Sequence, residues 1–299
     1  MTKDKLTISI KYLPKVLLLG NGINRAYDFA SWDELIKSIK TKELTEEEIK
    51  TVNKAPNPLQ PIILTEDHVG DKMKEIAPKL TELKACDEEE NLLNKFVSLP
   101  FDSVLTTNYT YEIEKAAIEN FNCKVGVACK YRKKAKADAK DFESKQLNTY
   151  FEVLDSKKPL WHIHGEAAKP DTMILGHYYY GKLLAKIQPY IRQLKARETK
   201  AKNTNGIIDV KSWVDYFMLS DVYIVGLGLD LSELDLWWLI NCKKRHFPKT
   251  KIVLYKPDVT LEQRLLAQSY NIEVVSDGLI GNDYKSYYNG IYTELKKLF

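Results

Sequence analysis

The sequence predicts an α/β protein: a doubly wound parallel sheet carrying helical insertions. Four short apolar runs, Val16–Gly20, Val104–Asn108, Leu160–Gly165 and Val222–Gly226, end in glycine, asparagine or a histidine–glycine pair. They are too short for helices and stop at turn residues, as buried parallel strands do. Segments with helical apolar spacing alternate with them, which implies parallel strands joined by right-handed crossovers. In open sheets of this kind, ligands bind at the carboxyl ends of the strands. The four endings therefore mark one candidate site.

The elements follow in order. Lys15–Leu19 is the first core strand, closed by Gly20-Asn21-Gly22. Ser31 offers an N-cap for a helix through Trp32, Leu35, Ile36 and Ile39. Residues 42–98 are mostly polar with helical spacing, broken at the Pro-rich Ala55–Pro61, and predict a helical insertion. Asp102–Thr107 reads as a strand and Tyr109–Asn120 as its helix. Lys130–Lys140 carries six Lys/Arg against one acidic residue and predicts an exposed helix or loop. With no aromatic interleaved beyond Tyr131, it reads as a solvated lysine face rather than a nucleic-acid patch.

Pro159–His164 and Thr172–Leu175 are further strand candidates. Leu183–Lys202 is an amphipathic helical stretch, expected to kink or split at Pro189. Asp221–Val225 is the strongest strand, with Glu233–Lys244 as its helix. Lys251–Tyr255 and Asn271–Val275 complete the sheet, with helices near 260–269 and 284–297. One domain over 1–299 is expected, with helical insertions at about 42–98 and 181–214.

Composition narrows the class. At 299 residues the chain can bury a sizeable core, and 44% hydrophobic with 29% charged residues describes a globular protein. The formal charge of +4, from 45 basic and 41 acidic side chains, is too small to imply direct nucleic-acid binding. No apolar run approaches the roughly 18–20 residues that cross a bilayer. No signal peptide is read at Met1–Lys5, so a cytoplasmic location is expected. Cys86, Cys123, Cys129 and Cys242 include no Cys-x-x-Cys pair, so neither a zinc knuckle nor a disulfide framework is indicated. No His, Cys, Asp or Glu groups stand at convincing metal-ligand spacing, and no metal is expected.

Chemistry concentrates at the strand ends. Gly20-Asn21-Gly22-Ile23-Asn24-Arg25 would let backbone approach a phosphate at a helix N-terminus. Arg25 stands where the dehydrogenase pattern has its third glycine, so a plain tight turn remains open. Asn108, after Thr106-Thr107, either caps the following helix or turns its amide into the crevice. Gly226-Leu227-Gly228 is a second glycine turn, and a dinucleotide has two ends to hold. Glu233 and Asp235 suit a first helical turn through the dipole, and Trp237 and Trp238 read as core. His164, before Gly165, sits where a reactive group would. His162 is expected to face away from it as a packed core histidine, His177 to lie on a surface loop, and His68 and His246 to be incidental.

The ordered set GNGIN, SW–EL, TTNY, HIHG, GHYYYG and GLGLDLSELDLWWL, from about Lys15 to Tyr255, resembles the sirtuin-like NAD-binding superfamily. More narrowly, it is similar to bacterial sirtuin-like domains that cleave NAD in antiphage defence. The resemblance implies a Rossmann-like fold with Gly20, Asn21, Gly22, Asn24, Thr107, Gly226, Leu227 and Gly228 around NAD as substrate. It maps the paired catalytic residues onto Asn108 and His164. The zinc-ribbon cysteine spacing of deacylating sirtuins is missing, and Tyr109-Thr110 replaces their aliphatic-aspartate pair after the asparagine.

The implied activity is an NAD glycohydrolase giving nicotinamide and ADP-ribose. Alternatives are an NAD-dependent deacylase or ADP-ribosyltransferase, or a non-catalytic nucleotide-sensing subunit. The family context implies a homo-oligomer gated by a phage component or a HerA-type ATPase, with 42–98 and 181–202 as assembly surfaces.

Overall fold

The computed structural model describes residues 5–27, 32–41, 43–126, 129–135, 145–153 and 156–299. Ser31, and residues 136–140 of the basic stretch, lie outside them. Ten strands occur among the described residues: β1 (Thr7–Ser9), β2 (Lys15–Leu19), β3 (Ser103–Thr106), β4 (Arg132–Lys134), β5 (Thr149–Val153), β6 (Lys158–His162), β7 (Ile207–Asp209), β8 (Asp221–Val225), β9 (Ile252–Tyr255) and β10 (Ile272–Val275). Eight form one sheet in the order β10-β9-β8-β2-β3-β6-β5-β4, while β1 and β7 pair separately.

The chain enters the large sheet at its centre. From β2 it winds outward through β3 and β6, then returns to the other side of β2 for β8, β9 and β10. These strands are mutually parallel, with Leu17 opposite Val104 on one side and Tyr223 on the other. The winding reverses between β2 and β8, and that reversal opens a crevice at the carboxyl ends. Both faces are buried. Val16 and Leu18 of β2 enter one core with Trp161, Val222 and Ile224; Leu17 and Leu19 enter the other with Leu160, Tyr223 and Val225. Period-two alternation inside a wholly apolar run is what a strand covered on both sides requires. Helices His177–Lys202, Trp213–Leu219 and Leu234–His246 contribute to the first core, and Asp87–Ser98 and Tyr284–Lys296 to the second.

The sheet is mixed rather than wholly parallel. β5 runs antiparallel to β6, and β4 antiparallel to β5. The expected exposed helix or loop after Lys130 therefore begins as an edge strand. Its Lys133 and Lys134 are exposed while Tyr131 and Ala135 are buried beside it. Thr172–Leu175 is not a strand. Pro170–Thr172 forms a 3-10 turn, and Ile174 N–H donates to the His164 carbonyl at 2.8 Å, so local bonds consume the backbone. Pro189 does not split its helix either. His177–Lys202 is one 26-residue helix whose buried Leu183, Ile187, Tyr190, Ile191 and Leu194 pass Pro189 on both sides. Packing of that face offsets the roughly 3 kcal/mol an internal proline costs.

Residues 42–98 are helical at Glu46–Val52, Gln60–Thr65, Val69–Glu82 and Asp87–Ser98. A third core joins part of this segment to the sheet's edge: Val52, Leu64, Met73 and Ile76 pack with Tyr109, Met173 and Leu175. That contact sits directly beside Asn108. The 181–214 segment is not purely helical, since it contains β7.

Candidate functional site

The crevice is a cavity of about 530 Å³. The two glycine turns close against each other along one wall. Gly20 N–H donates to Val225 O at 2.9 Å, and Gly22 N–H to Gly226 O at 2.6 Å. A Cβ on Gly20 would stand 2.6 Å from Gly226 O, and one on Gly22 would collide with that oxygen and with the Tyr288 hydroxyl. Gly226 itself has φ +70°, a conformation that favours glycine. The glycines are thus required first by the packing of one turn on the other, which leaves Asn21, Gly22, Gly226, Leu227 and Gly228 on the cavity wall.

Thr107 and Asn108 line the cavity from the end of β3, and His164 from just beyond β6. Gly20 and Asn24 are not among its lining residues. Asn24 is buried behind it, where its Nδ2 donates to Asn21 Oδ1 at 2.8 Å and to Glu112 Oε1 at 2.6 Å.

Asn108 does not cap a helix. The following helix is Glu112–Ala117, shorter than expected, with Tyr111 at its N-cap. Asn108 Nδ2 instead donates to Glu112 Oε1 at 2.6 Å. A carboxylate oxygen accepts, so this bond fixes which way the amide faces. The Asn108 carbonyl oxygen is directed away from Glu112, and one buried carboxylate orders two asparagines.

The two histidines behave differently. Residues two apart on a strand share a face, so His162 and His164 part only because β6 ends at His162 and the chain turns at Gly165, φ +86°. His162 is buried, with Nδ1 2.6 Å from the Asn108 backbone carbonyl and Nε2 2.6 Å from Glu114 Oε1. Burial opposes its charge, but Glu114 outweighs that and pushes the ring up to about 9. It is a packed histidine, and it braces the Asn108 backbone.

His164 Nε2 lies 2.8 Å from Asp235 Oδ2, and the edge of Tyr180 packs against its ring at 5.7 Å. Desolvation lowers its basicity, and Asp235 followed by Glu233 more than restores it, so its pKa stands above the ordinary histidine value. Glu233, on the cavity wall, is pushed up to about 7, first by desolvation and then by Asp235. His177 opens the long helix as an exposed residue, and His68 and His246 are exposed. Arg25, Lys256, Asp258, Tyr284 and Tyr288 belong to the charged and aromatic part of the lining.

Asp235 and Glu112 are the residues the sequence did not single out for this role. Their signal was ambiguous, since an acidic residue in a first helical turn is accounted for by the dipole alone.

Residues 102–205 match the family model described as a SIR2-like domain. The matched segment holds Asn108 and His164 and neither glycine turn. A solved structure of a Sir2 homologue, a histidine-to-asparagine mutant in complex with ADP-ribose, is similar to this chain at 11% identity and a TM-score of 0.37. The likeness covers 97% of this chain and 95% of that one. No curated protein matches the chain in sequence. Among the described residues, no group of three or more His, Cys, Asp or Glu could hold a metal ion, and no helix is long and apolar enough to cross a membrane.

Proposed function

We propose that this protein is an NAD glycohydrolase that cleaves the nicotinamide–ribose bond and acts in antiphage defence by depleting NAD. The observation that carries the reading is the meeting of Asn108 and His164 on one cavity that both glycine turns also line. Its volume of about 530 Å³ falls within the roughly 300–1,000 Å³ of small-molecule sites.

In the proposed reaction the C1′–N bond breaks and its electron pair leaves with nicotinamide. The ribose passes through an oxocarbenium-like state of the kind used in glycoside cleavage. A water oxygen bonds to C1′ and its proton goes to His164, then to solvent. NAD⁺ and water give nicotinamide, ADP-ribose and H⁺. Asn108 orients the water through its amide carbonyl, because its NH2 is held by Glu112. Water is the favoured acceptor because the deacylase cysteine spacing is missing.

A free NAD hydrolase would harm its own cell, so we propose a homo-oligomer gated by a phage component or a HerA-type ATPase. The helical segments at 42–98 and 181–202 are the proposed assembly surfaces. The test is nicotinamide release from NAD by the purified protein, alone and with its activator, against His164→Gln and Asn108→Ala. Free ADP-ribose without any acylated peptide supports hydrolysis, whereas O-acyl-ADP-ribose formed only with peptide would support a deacylase. NAD binding without consumption in every assembly state would leave a sensor.

A further inference from the structure

Asp235 lies second in the helix Leu234–His246, where a carboxylate ordinarily serves the helix itself. Here no side chain caps that helix N-terminus. The Asp235 carboxylate reaches back to His164, 71 residues away in sequence, and Asp235 is 0% exposed. Its other oxygen, Oδ1, is buried and accepts no hydrogen bond among the described residues. One bond therefore absorbs this group's placement. Because a carboxylate oxygen accepts, the His164 proton must sit on Nε2, and in the neutral ring the lone pair is on Nδ1.

We infer that Asp235 is a positioning residue, which holds His164 by its Nε2–H and leaves Nδ1 as the nitrogen that takes the proton. This rests on the glycohydrolase reading above. Other groups bear on the same ring. Glu233, two residues before Asp235, adds negative charge, and the Tyr180 ring edge packs against the imidazole; Tyr109 lies close enough to Asp235 to feel its charge. Asp235 differs from these in making the direct bond. The logic is that of the carboxylate in a serine-protease triad, which fixes tautomer and ring orientation without itself taking the proton.

The consequence is a pH limb. The base works only when neutral, so turnover should rise with pH through the elevated His164 value. Asp235→Asn removes the charge that elevates it, and its amide can instead donate to Nε2 and reverse the tautomer. The full-length protein, with its activator, would be assayed for kcat and KM against pH as wild type and Asp235→Asn. In parallel, ¹⁵N-histidine spectra of both would be recorded without NAD, with His164→Gln used to assign the His164 signals.

The expected result is a loss in kcat of about 10²–10⁴-fold with KM little changed, and a His164 titration moved to lower pH. The neutral wild-type ring should carry its proton on Nε2. An unchanged titration in Asp235→Asn, or a wild-type ring protonated on Nδ1, would overturn the inference. Wild type that consumes no NAD would instead sink the glycohydrolase reading, while the spectra would still judge Asp235.

Discussion

Two histidine–carboxylate pairs stand two residues apart in this chain, and only one of them is on the cavity wall. His162–Glu114 and His164–Asp235 are separated by 2.6 and 2.8 Å, and both carboxylate side chains are 0% exposed. The difference lies in the number of acceptors. His162 meets a carboxylate on one nitrogen and a backbone carbonyl on the other, so both nitrogens are occupied. Its surroundings are Tyr111, Phe151 and the buried Glu166–Arg132 pair, which pairs at 2.5 Å. A ring held that way already carries both protons near neutral pH, so it anchors the backbone and has no free nitrogen to act as a base. His164 meets a single carboxylate and lines the cavity. The same dipeptide pattern thus yields one structural cation and one candidate base.

The largest expected effects separate the two pairs. His164→Gln should lower NAD turnover by about 10²–10⁴-fold, the usual worth of positioned acid–base catalysis, with little change in the urea midpoint. His162→Ala should instead cost about 3–5 kcal/mol of stability, because Glu114 is left as an uncompensated buried charge. Equal losses of stability in both variants, measured by urea unfolding, would erase the distinction.

The pH dependence comes next. His162 is raised to about 9, with desolvation opposing the shift and Glu114 driving it. Glu114 is itself raised by burial against the pull of His162. A raised folded value means that the contribution is fully present below the unfolded one and is lost as pH rises through the folded one. Stability should therefore fall between about pH 6.5 and about 9, and this decline should shrink in a folded His162→Gln variant, which keeps only the contribution of the raised His164. Thermal unfolding across that window would expose a flat profile if the pair were not coupled.

A smaller effect is expected where the two glycine turns meet. Gly20→Ala puts a Cβ 2.6 Å from Gly226 O, a clash between backbones that cannot yield like a side-chain tip. Overpacking of this kind typically costs about 1–3 kcal/mol. Because the turns line the cavity, NAD binding should weaken together with stability. Calorimetry giving unchanged affinity would detach the turns from the substrate site. Glu112→Ala strips the acceptor from Asn24 and Asn108, at about 1–3 kcal/mol per unsatisfied group. Turnover should fall by roughly 10–100-fold in step with it. The smallest change belongs to the exposed Lys5–Asp209 pair at 3.3 Å, where Lys5→Ala should stay within about 0.5 kcal/mol.

The centre of the fold was legible in the sequence because its strands are covered on both faces and so read as unbroken apolar runs. β2 and β8 are the examples. The edge was not legible: β4 is Arg-Lys-Lys, and an exposed edge strand carries no apolar signature. Thr172–Leu175 looked like a strand because Met173, Ile174 and Leu175 are buried, yet they are buried by packing of a turn on His164 and of the helical segment on Tyr109. At the site, the residues that end apolar runs were readable, since strand ends announce themselves. Asp235 and Glu112 were not, because each acts on a partner set by tertiary contact, His164 at 71 residues and Asn24 at 88. The resemblance implies Asn24 on the ligand side; the fold puts it one layer back, bound to Glu112.

The most direct test compares nicotinamide release from NAD by wild type, His164→Gln and His162→Gln at matched concentration near pH 8, with the activating partner present. Wild type is expected to give equimolar nicotinamide and ADP-ribose, His164→Gln at least about 10²-fold less, and His162→Gln retained turnover per folded molecule. Equal release from wild type and His164→Gln would contradict the assignment of His164 as the base.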